Sequence, residues 1–321
     1  MTTFLSVILC THDPRRAVLE EALDALRRQR ALDEGCWELI IVDNASTRPL
    51  NGSIDLRGLE RARIVREERL GLTHARLRGL AEASGEILAF VDDDNLLDEA
   101  YLSRAAEAMS ADVSLGAAGG RSIARYEVPT PPWFDSLDID LACRDLGETA
   151  QYASWEGIDH AKRSYPRCAP IGAGLVIRRD LFAAYASAAA ASPGRLGLGR
   201  RGADLASGED NDIIMVVLER GWRVAYLPGL RLEHVIPAGR LTRDYLAAYA
   251  YSTNRTWIRV LDVHGIRPWR ALDPSRLMVR KARAYLSYRA WSGPAAYIRW
   301  RGACGQFDGR ADLWRAQHGA G

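Results

Sequence analysis

Two rhythms of apolar and polar positions alternate along the first 120 residues. Short apolar runs at residues 4–10, 37–42, 63–65 and 87–91 read as strands. The last of these, Ile87-Leu88-Ala89-Phe90-Val91, has no polar break, as a strand buried on both faces requires. Between the runs, Leu19, Ala22, Leu23 and Leu26 recur at helical spacing, and Leu77, Leu80 and Ala81 do the same after Gly71. Asp13-Pro14 predicts the start of the first helix, with proline at the first helical position. A further helix is expected over residues 98–109 and a strand over 113–118. Strands that alternate with helices predict an α/β fold of parallel βαβ units with right-handed crossovers.

Beyond residue 120 the alternation breaks. Residues 121–170 are rich in Pro and aromatic side chains, and so long an irregular segment in a compact domain points to function. Residues 171–177 resume as a strand, where Gly172 and Gly174 signal close approach of a ligand or another backbone. Residues 194–202 mix Gly and Arg and read as a mobile loop. Gly208-Glu209-Asp210-Asn211-Asp212 opens a helix that ends at Gly221, with Asp212 expected to cap it. Residues 223–227 and 230–235 read as two short strands around Pro228-Gly229. From Thr242 onward the pattern is helical and rich in Arg, Tyr and Trp. The expected division is an α/β half (1–120), a second half of the same domain (121–243) and a helical C-terminal extension (244–321).

Composition narrows the setting. A net charge of +2 over 321 residues does not suggest a nucleic-acid partner. The five Cys are dispersed with no CxxC pair, which argues for a reducing compartment and against a disulfide frame or structural zinc. The N-terminal residues read as a strand and not as a signal peptide, and no window offers the roughly 20 apolar residues of a membrane span. A cytoplasmic protein is expected, peripheral at most at the inner face of a membrane.

The candidate chemistry begins where the unbroken strand ends. Asp92, Asp93 and Asp94 follow it directly, at the strand end where open α/β sheets place their ligands. Three adjacent carboxylates repel one another unless a cation or donor hydrogens neutralise them. A hard divalent ion shared with a phosphate meets that need; a solvated turn that caps the next helix is the alternative.

Taken in order, SVILCTHDP, WELIIVDNAS, GLTHARLRGL, GEILAFVDDDN, GAGLVIRRD, GEDND and LEHVIP resemble the motifs of an inverting glycosyltransferase of family two. The resemblance covers residue 5 to about residue 243. It implies a GT-A fold, a Rossmann-like and mostly parallel sheet flanked by helices, and a nucleotide-diphosphate sugar, UDP-linked first, as donor. It also implies Mn²⁺ or Mg²⁺ as cofactor. By position, Thr11, Asp43 and Arg76 would line the nucleotide pocket, and Asp92 and Asp93 would complete it. Asp94, Asp92 and His234 would hold the metal. Asp210 matches the family's general base, with Glu209 orienting it or binding the acceptor, a saccharide or lipid-linked glycan. Trp133, Trp155 and Tyr165 could stack on that acceptor or lie in the core.

Three rivals remain at the sequence level. A nucleotidylyltransferase should show an N-terminal Gly- and Arg-rich loop, which SVILCTHDP is not. A glycoside hydrolase would cleave without nucleotide or metal. A non-catalytic sugar-nucleotide-binding protein would tolerate loss of Asp210. In the extension, Arg280, Lys281, Arg283, Arg289, Arg299 and Arg301 stand among Tyr285, Trp291, Tyr297 and Trp300. A solvated face or a homodimer contact is expected there ahead of contact with anionic lipid.

Overall fold

The apolar runs of the first half become parallel strands because both of their faces are covered. The computed structural model describes residues 4–32, 34–202 and 204–318. In chain order the first elements are β1 (Leu5–Thr11), α1 (Arg16–Arg27), β2 (Trp37–Asn44), β3 (Ala62–Glu67), α2 (Leu72–Glu82), β4 (Ile87–Asp92), β5 (Asn95–Leu97) and α3 (Tyr101–Ala111). Then follow β6 (Leu115–Tyr126), β7 (Gln151–Ala153), β8 (Val176–Arg178), α4 (Arg179–Ala190), α5 (Pro193–Leu196), α6 (Glu209–Glu219) and β9 (Arg223–Ile236). The chain closes with α7 (Arg243–Val263), α8 (Leu277–Ser287) and α9 (Pro294–His318).

One mixed sheet runs β3-β2-β1-β4-β8-β6-β9-β5, with β7 added beside β9. β3, β2, β1 and β4 are parallel, as the βαβ rhythm predicts, and β6 is parallel to β9. β8 enters antiparallel between β4 and β6, and β5 and β7 pair antiparallel to β9. Alternate residues of one strand serve opposite layers. Val7 and Leu9 pack with α1 and α3, whereas Ile8 packs with the layer of α2, α4 and α6. Each fully buried Leu or Ile contributes roughly 1.5–3 kcal/mol.

Several local expectations fail for identifiable reasons. α1 starts at Arg16 and not at Asp13, because Asp13 adopts φ 45° and its carboxylate accepts from the backbone and hydroxyl of Thr47. α2 buries Thr73, Ala75, Arg76 and Gly79 and leaves Ala81 exposed; a Cβ at Gly79 would strike Ile8 of β1. The strand expected over 113–118 starts at Leu115 and continues to Tyr126, so part of the irregular segment is sheet. Of residues 171–177 only the end joins the sheet. The two strands around Pro228-Gly229 are one strand, β9, with a register shift opposite Gly119 to Arg121.

The C-terminal helices pack onto the sheet domain. A Cβ at Gly208, just before α6, would fall 2.6 Å from Val260 Cγ2 of α7, so the glycine lets the two helices meet. Gly309 plays the same part between α9 and α7, where a Cβ would fall 2.9 Å from Ile258.

Candidate active site

The strand ends gather the acidic motifs around one cavity of about 270 Å³. Its lining includes Thr11 from β1, Arg76 from α2, Asp92 to Asp94 after β4, Glu209 and Asp210 from α6, and His234 from β9. Thus eight of the nine expected site positions meet in one place, although they are spread over more than 220 positions of the chain. Asp43 does not join them. Its Oδ1 accepts from Ser46 N at 3.1 Å, and its Oδ2 accepts from Leu50 N at 3.1 Å and Arg66 Nη1 at 2.8 Å. That carboxylate holds the turn after β2, and the next residue, Asn44, lines the cavity instead.

The Asp cluster sits in a turn between β4 and β5, and the pairing of β5 with β9 sets Asn95 opposite His234. Asp94 Oδ1 therefore lies 3.3 Å from His234 Nε2, and its Oδ2 lies 3.2 Å from Arg240 Nη2. Burial raises the Asp94 carboxyl, but these two partners outweigh it and hold the group low. Burial opposes protonation of His234 as well, yet Asp94 and Cys143 lift its pKa to about 9. Asp93 accepts from the Thr11 hydroxyl, while burial and the charge of Asp94 push its carboxyl up to about 7. Asp92 is raised by burial, against the pull of Arg76.

That balance suits a cation. Burial raises two of the carboxyls, with the neighbouring Asp94 adding to it, and carboxylate oxygens with one imidazole are a fitting donor set for Mn²⁺ or Mg²⁺. As the side chains stand, no three His, Cys, Asp or Glu among the described residues enclose an ion, and Asp94 is engaged by Arg240 and His234.

The three acids of GEDND have three different surroundings. Glu209 is buried, with Oε1 3.6 Å from Arg76 Nη1 and Oε2 accepting from Thr73 Oγ1 at 3.0 Å. Burial raises its carboxyl and Arg76 counters. Arg76 also reaches Asp92, at 3.9 Å, so one buried guanidinium ties the two acid groups together. Asp210 is half-buried, accepts from Gly172 N at 3.0 Å, and has no ion-pair partner among the described residues. Asp212 is not a cap. It is fully buried, and its Oδ1 meets Arg195 Nη1 at 2.5 Å and His264 Nε2 at 2.7 Å. The other ring nitrogen of His264 lies 2.7 Å from Glu219 at the far end of α6.

The two glycines of Gly172-Ala173-Gly174 serve different ends. A Cβ at Gly172 would lie 3.2 Å from Arg76 Nη2 and 3.5 Å from Asp210 Oδ2, so its absence keeps the site open. Gly174, at φ 71°, instead makes room for Tyr101, whose hydroxyl donates to its carbonyl. The Gly- and Arg-rich segment is packed as a wall: Leu198 is buried, the Arg200 carbonyl accepts from Leu72 N, and a Cβ at Gly199 would crowd Glu209 and Thr73. Trp155 is a core residue whose indole N–H donates to Ser164 O, Tyr165 packs edge-on against Trp257, and Trp133 packs in a separate apolar cluster. None of the three lines the cavity. Lining residues that escaped the sequence reading include His12, Asn44, Arg200 and Arg240. The available signals were the Gly/Arg run and an Arg six positions past His234.

This sheet order, with an acid-bearing turn at the strand ends, is the GT-A fold of glycosyltransferases. The structure resembles S. aureus TarS (residues 1–349) in complex with UDP, with TM-score 0.51 and 14% identity over 98% of this chain and 92% of that one. It also resembles the mannosyltransferase PcManGT from Pyrobaculum calidifontis in complex with GDP-Man and Mn²⁺, with TM-score 0.54 and 21% identity over 100% and 76%. GalNAc-T7 with UDP, GalNAc and Mn²⁺ gives TM-score 0.54 and 14% identity over 99% of this chain and 58% of that chain. No curated protein matches by sequence. The model of glycosyl transferase family 2 matches residues 6–184, more than half of the chain, and the chain belongs to that family.

Proposed function

We propose that this glycosyltransferase moves a sugar from a nucleotide-diphosphate donor, UDP-linked in the first instance, to a hydroxyl of a saccharide or lipid-linked acceptor, with inversion at the anomeric carbon. The observation that carries the reading is the contrast at the start of α6. Glu209 and Asp212 are engaged by Arg76 and Arg195, while Asp210 lines the cavity and, among the described residues, is held by backbone N–H groups. An anionic Asp210 has a lone pair to accept the acceptor's proton as its oxygen bonds to the anomeric carbon. Attack from that side displaces the diphosphate from the opposite face, which is inversion. Thr11, Arg76 and Asn44 would border the nucleotide, and Arg200 and Arg240 bring positive charge to the diphosphate. Asp92, Asp94 and His234 would hold Mn²⁺ or Mg²⁺, which supplies further positive charge against the leaving group.

The test is a thermal-shift screen of UDP- and GDP-sugars with and without Mn²⁺, followed by a transfer assay with the stabilising donor. A ligand at 100 times its Kd raises stability by about 2.7 kcal/mol. Stabilisation by a nucleotide sugar together with transfer is expected. Stabilisation by free oligosaccharide alone, with hydrolysis, would instead support a glycosidase.

A further inference from the structure

The C-terminal helix α8 is packed on one side only. Inward, Ala284 is buried, Tyr285 stands edge-on to Trp300 with centroids 5.1 Å apart, and Lys281 pairs with Asp308 at 2.8 Å. Tyr297 and Trp300 belong to this packed side and not to an exposed aromatic face. Outward the helix carries Met278 and Leu286, 76% and 63% exposed, with Val279 at 54%. Spacings of seven and eight residues put Val279 and Met278 on the same side of the helix as Leu286, and Trp291, 56% exposed, follows just past the helix end. A lone exposed Leu is ordinary, but a contiguous apolar stripe marks a contact surface.

Charge selects the partner. Residues 276–301 hold seven basic side chains and no acidic one, although the whole chain is nearly neutral. Arg280, Arg283 and Arg289 are exposed and form no ion pair among the described residues. An apolar stripe bordered by unpaired arginines is the make-up of a helix that lies in a membrane interface, with its side chains in the acyl boundary and its cations among anionic headgroups. A second copy is a poorer match, because a two-fold contact through this face would set arginine against arginine. No helix among the described residues is long and apolar enough to cross a membrane, so the contact would be peripheral.

We propose that α8 and the turn after it form a docking surface for an anionic lipid bilayer. The proposal is independent of the catalytic assignment. The full chain is pelleted with phosphatidylcholine vesicles, with and without phosphatidylglycerol, at low and high salt. The variants are Arg280→Gln/Arg283→Gln/Arg289→Gln and Met278→Ser/Leu286→Ser. Uptake by the anionic vesicles only is expected, weakened by salt, with at least ~10-fold weaker partition for the arginine variant. The apolar variant should also lose uptake, and both should keep wild-type thermal unfolding because every replaced side chain is exposed. Failure of the folded wild type to bind anionic vesicles at low salt overturns the proposal, as does binding at the wild-type level by both variants. Self-association that Met278→Ser/Leu286→Ser dissolves, with vesicles left bare, would reassign the stripe to a second copy.

Discussion

The two acid groups of the cavity are close in space and opposite in design. After β4, burial raises two of the three adjacent carboxyls, Asp92 and Asp93, while His234 and Arg240 hold the third, Asp94, low. At the start of α6, Glu209 lies against Arg76 and Asp212 against Arg195, and of the three acids only Asp210 forms no ion pair among the described residues. Under the proposed function the first group takes up charge from a ligand. The second spends its ion pairs on fixing the helix, so that a single carboxylate is presented. A run of acids in a sequence can therefore be a binding site or a scaffold, and the counter-charges tell which.

Substitutions should separate the two designs. The largest effect is expected for Asp94→Ala, which removes the carboxylate between His234 and Arg240 and should abolish turnover and metal-dependent donor binding while the fold survives. Full activity in excess EDTA would break this half of the comparison. Asp210→Asn keeps the shape and the Gly172 contact but cannot take the proton. It should lower kcat by at least ~10²-fold with little change in donor Kd or in unfolding midpoint. Glu209→Gln should do the reverse, leaving Arg76 short of a buried counter-charge at a cost of up to ~3 kcal/mol in denaturant unfolding, with a smaller loss of kcat or a higher acceptor KM. If Asp210→Asn turns over normally while Glu209→Gln is dead, the base is Glu209.

The smallest effect concerns His264. Burial opposes its protonation, but Asp212 and Glu219 raise its pKa above 6.5. The folded state then holds the proton more tightly than the unfolded chain does. The stabilisation is complete below about 6.5 and is lost as pH rises through the raised folded value. Wild type minus His264→Gln unfolding free energies, measured from pH 6 to 10, should narrow with rising pH. A constant difference would mean that the contact does not depend on charge.

The first half of the fold was legible because strands buried on both faces write themselves as apolar runs, as residues 87–91 do. The acid motifs were legible for a similar reason, since each follows a strand or opens a helix. What pairs with them was not. Arg195 and His264 reach Asp212 from a short loop helix and from the end of α7, separations that no local pattern encodes. Asp43 shows the converse error. Its strand-end position is the one a ligand-binding acid would occupy, yet backbone N–H groups a few residues ahead had already claimed both oxygens. For Trp155 and Tyr165 acceptor stacking and core packing were equally open, and the second holds: Trp155 is buried in the core and Tyr165 packs edge-on against Trp257 of α7.

The strand β9 has a consequence for the order of events as the chain folds. The parallel sheet of β1 to β4 closes over short crossovers, so its loops cost little entropy. β9 lies about 130 residues further on than β5 and pairs with β5, β6 and β7. Such distant pairings tend to form late. Until β9 arrives, β5 has no partner and Asp94 faces no His234. The pocket should thus mature in the final folding step, and donor-dependent protection would report that the whole chain has reached its native arrangement.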